Sequence, residues 1–125
     1  MTGQTPTILV VDDEETIRDS LQLFLEVKGW HVVTAASAEQ ALEILASRHC
    51  DGAIVDIRLP GQNGDAMILA AKPKYPDMKW VICTGSMGFA PGPDLAAAGV
   101  TAQDVFTKPV ADMGLLVDRL QQLLA

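Results

Sequence analysis

The feature that most constrains this chain is a set of short apolar runs, each stopping at a polar residue, with helical periodicity between them. The first run, Thr7-Ile8-Leu9-Val10-Val11, is continuous and rich in β-branched residues, and it ends at Asp12-Asp13. A strand with apolar residues at both alternating positions is buried on both faces, the condition of a parallel sheet covered by helices. Four more such segments follow: His31 to Ala35, Gly52 to Asp56, Lys79 to Thr84 and Asp104 to Thr107.

The intervening segments carry helical signals. Glu15 to Lys28 places Ile17, Leu21, Phe24, Leu25 and Lys28 at helical spacing and is closed by Gly29. Ser37 with Gln40 is a capping-box pair for a helix from Ala38 to Arg48. A short helix from Asp65 must end near Pro73. Gly88 to Pro93 holds two glycines and two prolines in six residues. A regular fourth helix therefore starts only at Pro93 and ends by Ala98, short or distorted. The last helix runs from Asp112 to about Leu124, with Met113, Leu116, Val117, Leu120, Leu123 and Leu124 on one face.

Five strands alternating with five helices predict one α/β domain. Right-handed crossovers make its sheet parallel, with helices on both faces as a three-layer sandwich. A chain of 125 residues has room for one core. The reading is Met1 to Pro6 as a disordered N-terminus and residues 7–125 as the domain. With a net charge of -7 and only nine Lys and Arg, no direct nucleic-acid binding is expected. Acidity of this kind suits a cation or a basic partner surface. Cys50 and Cys83 read as buried small hydrophobes. No apolar run reaches the length of a membrane span, and no signal peptide is visible, so a cytoplasmic setting is the default. His31 and His49 show no matching partner and read as structural or surface residues. Trp30 and Trp80 read as edge packing.

In an open parallel sheet the functional crevice lies at the carboxyl ends of the strands. Four places there carry reactive side chains: Asp12-Asp13, Asp56, Thr84 and Lys108. Three carboxylates brought together in a partly dehydrated pocket repel one another. Magnesium relieves that repulsion with a few carboxylate oxygens plus waters. Lys108 offers a point charge for an anionic oxygen and Thr84 a hydroxyl donor. These are the parts of phosphoryl transfer to a carboxylate. Glu14 and Glu15 read as first-turn helix charges.

The ordered set Val10-Val11-Asp12-Asp13-Glu14, Val55-Asp56 with Leu59-Pro60 and Gly64, Thr84-Gly85 and Lys108-Pro109 resembles the receiver domain of two-component response regulators. The resemblance covers about Thr7 to Leu124 and implies a flavodoxin-like fold with strand order 2-1-3-4-5. It implies that Asp56 is the phosphoacceptor. It also implies that Asp13 and Asp56 bind Mg2+ together with the backbone carbonyl of Arg58, and that Asp12 assists through water. Lys108 would pair with the phosphoryl oxygens and Thr84 would bond to one of them on activation. The implied partner is a sensor histidine kinase or a histidine phosphotransfer domain, with an output domain, a protein partner or a second copy of the chain as further options. Such a domain is a regulatory phosphoacceptor that acts only on itself.

The sequence departs from the family pattern in the aromatic switch position, which is Val105 with Phe106 beside it, in the segment Met87 to Pro93, and in Val110 after Pro109. The Ser86 to Pro93 loop is accordingly the expected readout of phosphorylation. Arg58 and Ser86 are expected to flank the pocket. Other readings of the same residues are a magnesium-dependent phosphatase with an aspartyl nucleophile, a degenerate receiver serving as a binding scaffold, and a flavin or nucleotide domain. The phosphatase needs an acid two residues after the nucleophile, where Arg58 stands. The nucleotide domain is disfavoured by four consecutive acids after the first strand.

Overall fold

A computed structural model describes residues 5–85, 88–108, 110 and 112–125. The strands are β1 (Thr7–Val11), β2 (His31–Ala35), β3 (Gly52–Val55), β4 (Lys79–Thr84) and β5 (Val105–Thr107). They form one parallel sheet in the order β2-β1-β3-β4-β5. The helices are α1 (Glu15–Val27), α2 (Ala38–Ser47), α3 (Gly64–Ala71), α4 (Pro93–Ala97) and α5 (Met113–Leu124). The three-layer fold expected from the pattern of runs is the one formed.

Alternation along the central strands explains the two cores. Leu9, Val11, Ala53, Val55, Trp80 and Ile82 point to the face covered by α2, α3 and α4. Ile8, Val10, Ile54, Val81 and Cys83 point to the face covered by α1 and α5. Leu21, Leu25, Leu116 and Leu120 are at most 1% exposed on that second face. Burying each such side chain stabilises the fold by roughly 1.5–3 kcal/mol. Trp80 is 4% exposed within β4, between β3 and β5, so it is core rather than edge packing.

Several local expectations are corrected. Phe24 and Lys28 face solvent, because the buried stripe of α1 narrows to Leu21 and Leu25. Asp104 ends a 3-10 turn at Ala102–Asp104 rather than opening β5. Its carboxylate accepts from the backbone and hydroxyl of Thr101 at 2.8 and 3.1 Å, which closes the turn. His49 is not without a partner, since its Nε2 lies 2.9 Å from Asp51 Oδ1. Met1 to Gln4 of the expected disordered terminus lie outside the described residues. The Pro6 carbonyl accepts a hydrogen bond from the His31 amide at 3.0 Å.

Charge is unevenly distributed along the strand direction, although Arg18, Arg58 and Lys108 lie with the acids at the carboxyl rim. Lys28, Arg48, Lys72, Lys74 and Lys79 precede or open strands β2, β3 and β4, at the amino ends of the sheet. Asp12 to Glu15 and Asp56 follow β1 and β3, at the carboxyl ends.

A buried carboxylate beside β5 also carries an ion pair. Arg119 Nε of α5 donates to Asp104 Oδ1 at 2.7 Å, and Asp104 is 1% exposed. Removing the cation leaves a buried carboxylate short of its charged partner. Arg119→Ala should lower unfolding stability by about 3 kcal/mol, read by urea denaturation. A loss no larger than that of a surface substitution would refute this role.

Candidate functional site

Three loops at the carboxyl ends of β1, β3 and β5 build the site. Asp12 follows β1, and its amide donates to the Ala35 carbonyl at 3.1 Å. The Asp56 amide donates to the Val11 carbonyl at 2.9 Å, which continues the sheet ladder by one residue and fixes where its carboxylate stands. The Lys108 amide donates to the Thr84 carbonyl at 2.7 Å, so β4 positions the lysine. Asp12, Asp56 and Thr84 are buried, whereas Asp13 and Glu14 are exposed.

The side chains converge on Lys108. Its ammonium lies 2.7 Å from Asp12 Oδ2, 3.0 Å from Asp56 Oδ2 and 3.2 Å from Glu14 Oε1. Asp12 Oδ1 accepts from the Glu14 amide at 2.9 Å, and Asp56 Oδ1 accepts from the Arg58 amide at 3.2 Å. Arg18 donates to the Asp12 carbonyl at 2.8 Å and braces the start of α1 against the loop. Asp13, Glu14, Asp56, Arg58, Gly85 and Lys108 line an open cleft of about 320 Å³. Arg58 is exposed at its margin. Ser86, expected beside it, lies outside the described residues, as do Met87 and Pro109.

Burial raises the Asp12 carboxyl above its ordinary value of 3.8, and the hydrogen bonds from Lys108 and the Glu14 amide offset only part of that effect. Burial alone would depress the Lys108 ammonium. Its hydrogen bonds to Asp12 and Asp56 outweigh burial and hold it above its ordinary 10.5. The lysine is therefore charged throughout the neutral range. Its pairing stabilises the fold fully below pH 10.5 and ceases to do so as pH rises through its folded-state value. Burial pushes the Cys83 thiol up to about 12, so this neighbour of Thr84 is not a thiolate nucleophile at neutral pH.

One oxygen from each of Asp12, Asp13, Glu14 and Asp56 lies within 4.8 Å of the other three. Hard carboxylate oxygens at that spacing fit a divalent cation such as magnesium. Of the residues the sequence placed at one rim, Asp12, Asp13, Asp56 and Lys108 lie together, and Thr84 is buried at the end of β4 with its carbonyl bonded to the Lys108 amide. Sequence reading missed Glu14. As the N-cap of α1 this residue sits outside the helix, so its side chain turns back toward Lys108. The signal was its place directly after two acids at a strand end.

Gly64 opens α3, and its amide donates to the Ile57 carbonyl at 2.8 Å. A Cβ there would collide with the backbone carbonyl of Asp56 and stand 2.8 Å from Val55 Cγ1. The loop carrying Arg58 is also tied to α2, because Glu39 accepts from the Gln62 amide at 3.3 Å.

Comparison with known proteins follows the geometry. The family model described as response regulator receiver domain matches residues 8–121. The chain belongs to that family, the phosphoryl-accepting switch of two-component signalling. The C4-dicarboxylate transport transcriptional regulatory protein DctD of Rhizobium meliloti is 32% identical over 117 residues, 94% of this chain and 24% of that protein. The photosynthetic apparatus regulatory protein RegA of Rhodovulum sulfidophilum is 32% identical over 107 residues, 86% of this chain and 57% of its own length. The autoinducer 1 sensor kinase/phosphatase LuxN of Vibrio harveyi is 31% identical over 86 residues, 69% of this chain and 10% of that protein. The chain thus spans less than two thirds of the length of each of these relatives.

Among solved structures, the response regulator TrrA of Thermotoga maritima, in complex with Mg2+-BeF, has a TM-score of 0.83 at 28% identity, covering 95% of this chain and 99% of that one. A CheY-like response regulator receiver domain protein from Methanospirillum hungatei has a TM-score of 0.79 at 31% identity, covering 96% of this chain and 94% of that one.

The close approach at Gly64 generates a test. Gly64→Ala forces the Asp56 carbonyl or α3 to shift and should destabilise the fold by about 1–3 kcal/mol. Thermal unfolding measures this, and an unchanged midpoint would contradict the packing described.

Proposed function

We propose that the domain, residues 7–125, receives a phosphoryl group on the Asp56 carboxylate from a phosphohistidine of a sensor kinase or phosphotransfer domain. The carrying observation is that Asp56 is 5% exposed at the wall of an open cleft, with Lys108 at 3.0 Å and the Asp12-Asp13 pair beside it. An Asp56 oxygen attacks phosphorus, the P–O bond forms, the P–N bond breaks, and the imidazole leaves with a proton. Lys108 neutralises charge on the phosphoryl oxygens, and the Thr84 hydroxyl takes one of them after transfer. Asp12, Asp13 and Asp56, with the Arg58 backbone carbonyl, are the residues that would hold Mg2+. When bound, that cation supplies charge neutralisation of the transferring phosphoryl group.

This reading makes the domain regulatory, turning over no external substrate. Arg58 stands where an aspartyl phosphatase needs a proton donor, and a guanidinium does not release its proton in proteins. Its setting is cytoplasmic: among the described residues no helix is long and apolar enough to cross a membrane, and a phosphohistidine donor is reached from that side. Downstream, it would act on an output domain, a protein partner or a second copy of the chain.

Incubation with acetyl phosphate and Mg2+ should add one phosphoryl group by intact mass, and Asp56→Asn should abolish the gain. Incorporation that survives Asp56→Asn would refute the assignment.

Metal affinity gives a second test. The Lys108 ammonium shares the Asp12 and Asp56 oxygens that a cation needs. Lys108→Ala should retain Mg2+ binding and tighten it by roughly tenfold, equivalent to about 1.4 kcal/mol, while uncoupling phosphorylation from conformational change. Because burial raises Asp12 above 3.8, protons compete at a higher pH than for an ordinary aspartate, and affinity should fall on acidification from pH 7 toward 5. Calorimetric titration reads both effects. Loss of binding in Lys108→Ala would assign the lysine the wrong role.

A further inference from the structure

An ammonium group carries three N–H donors and no more, and three carboxylates already stand around that of Lys108. Its Nζ lies 2.7 Å from Asp12 Oδ2, 3.0 Å from Asp56 Oδ2 and 3.2 Å from Glu14 Oε1. An oxygen of an incoming phosphoryl group would be a fourth acceptor. It makes a full hydrogen bond only when one of the three carboxylates lets go.

Burial decides which one. The side chains of Asp12 and Asp56 are 2% and 6% exposed, whereas that of Glu14 is 58% exposed. A buried carboxylate that loses its counter-charge is left poorly solvated, and the cost is large. An exposed carboxylate passes from the ammonium to water, and the cost is small. Asp56 moreover needs its counter-charge until the new bond has formed. Glu14 also makes the longest of the three contacts.

The backbone lets Glu14 release the lysine without disturbing the site. Its amide donates to Asp12 Oδ1 at 2.9 Å, and its carbonyl accepts from the Arg18 amide at 3.1 Å. Both sides of the residue are thus pinned at the N-cap of α1. Rotation of the side chain into solvent is sufficient.

We propose that Glu14 is a positioning residue for phosphoryl uptake: its carboxylate holds the third donor of Lys108 until a phosphoryl oxygen displaces it. Glu14 makes and breaks no covalent bond. Its contact weakens the hold on a phosphoryl group by the strength of one exposed ion pair, a factor of about two to five. The inference rests on Asp56 as the phosphoacceptor.

The test compares the full chain with Glu14→Gln and Glu15→Gln at saturating Mg2+ and matched ionic strength. Glu15 is an exposed acid in the first turn of α1, and among the described residues the ion partners of Lys108 are Asp12, Glu14 and Asp56. Glu15→Gln therefore removes the same charge without removing the contact. Beryllofluoride, a phosphoryl mimic that binds a carboxylate oxygen, is titrated against the 15N signal of the Lys108 ammonium, and acetyl phosphate uptake is followed by intact mass. Glu14→Gln should bind beryllofluoride about two- to fivefold tighter and lower the half-saturating acetyl phosphate by the same factor, with the maximal rate unchanged. Before any addition, the Lys108 signal should already be displaced in Glu14→Gln. Glu15→Gln should match the unsubstituted chain in all three readings. An unsubstituted chain that takes up neither reagent overturns the phosphoacceptor reading itself. If it takes up both and Glu14→Gln behaves identically, or Glu15→Gln gives an equal gain, the role of Glu14 is overturned and the phosphoacceptor stands. A loss of Mg2+ affinity of about tenfold or more in Glu14→Gln would make the residue a cation ligand and likewise overturn the proposal.

Discussion

Mutual repulsion among acids at one rim of the sheet is the constraint around which the molecule is arranged. Two carboxylates about 4 Å apart at an effective dielectric near 20 repel by roughly 4 kcal/mol. Asp12 and Asp56 are buried with Asp13 and Glu14 beside them, so water screens the repulsion poorly. The Lys108 ammonium answers it by contacting three of the four acids at once. That single cation offsets part of the charge and leaves a net negative cluster. A net negative cluster of hard oxygens is the kind of site that suits a divalent cation.

The fold makes this arrangement cheap to maintain. Ladder hydrogen bonds continue one residue past β1 and β3 and set the backbones of Asp12 and Asp56 before any side-chain contact forms. Gly64 lets α3 start directly against the Asp56 carbonyl, where any side chain would intrude. Glu39 ties the loop between β3 and α3 to the first turn of α2. Rigid elements thus hold Asp56 from several sides, so its carboxylate is preorganised by the fold.

Much of this was legible from residue order. Continuous apolar runs define buried parallel strands, and their polar ends mark the rim, because period and burial are properties of a few consecutive residues. The boundaries of α1, α2, α4 and α5 follow from Gly29, Ser37, Pro93 and Asp112 to within a residue. What escaped depends on distances between elements. Glu14 looked like a helix charge until the helix start left it outside the first turn. His49 gained Asp51 through a local bend rather than a periodic pattern. Asp104 looked like a strand residue because its closing contacts, Thr101 and Arg119, lie across a turn and on α5. Phe24 carries an apolar label, but the width of the buried stripe is decided by how closely α1 lies on β1 and β2, which spacing alone does not encode. Val105 packs with the Trp80 cluster and Phe106 with the α1 and α5 side, as strand alternation requires.

Five lysines and arginines gather near the amino ends of the strands, opposite the acidic cluster at the carboxyl ends, and this imbalance has a kinetic consequence. A domain polarised along its strand axis experiences a torque in the field of a charged neighbour and rotates before it touches. A positively charged surface would meet the acidic cleft first more often than random tumbling allows. The gain would shrink as added salt shortens the reach of that field to about 10 Å or less.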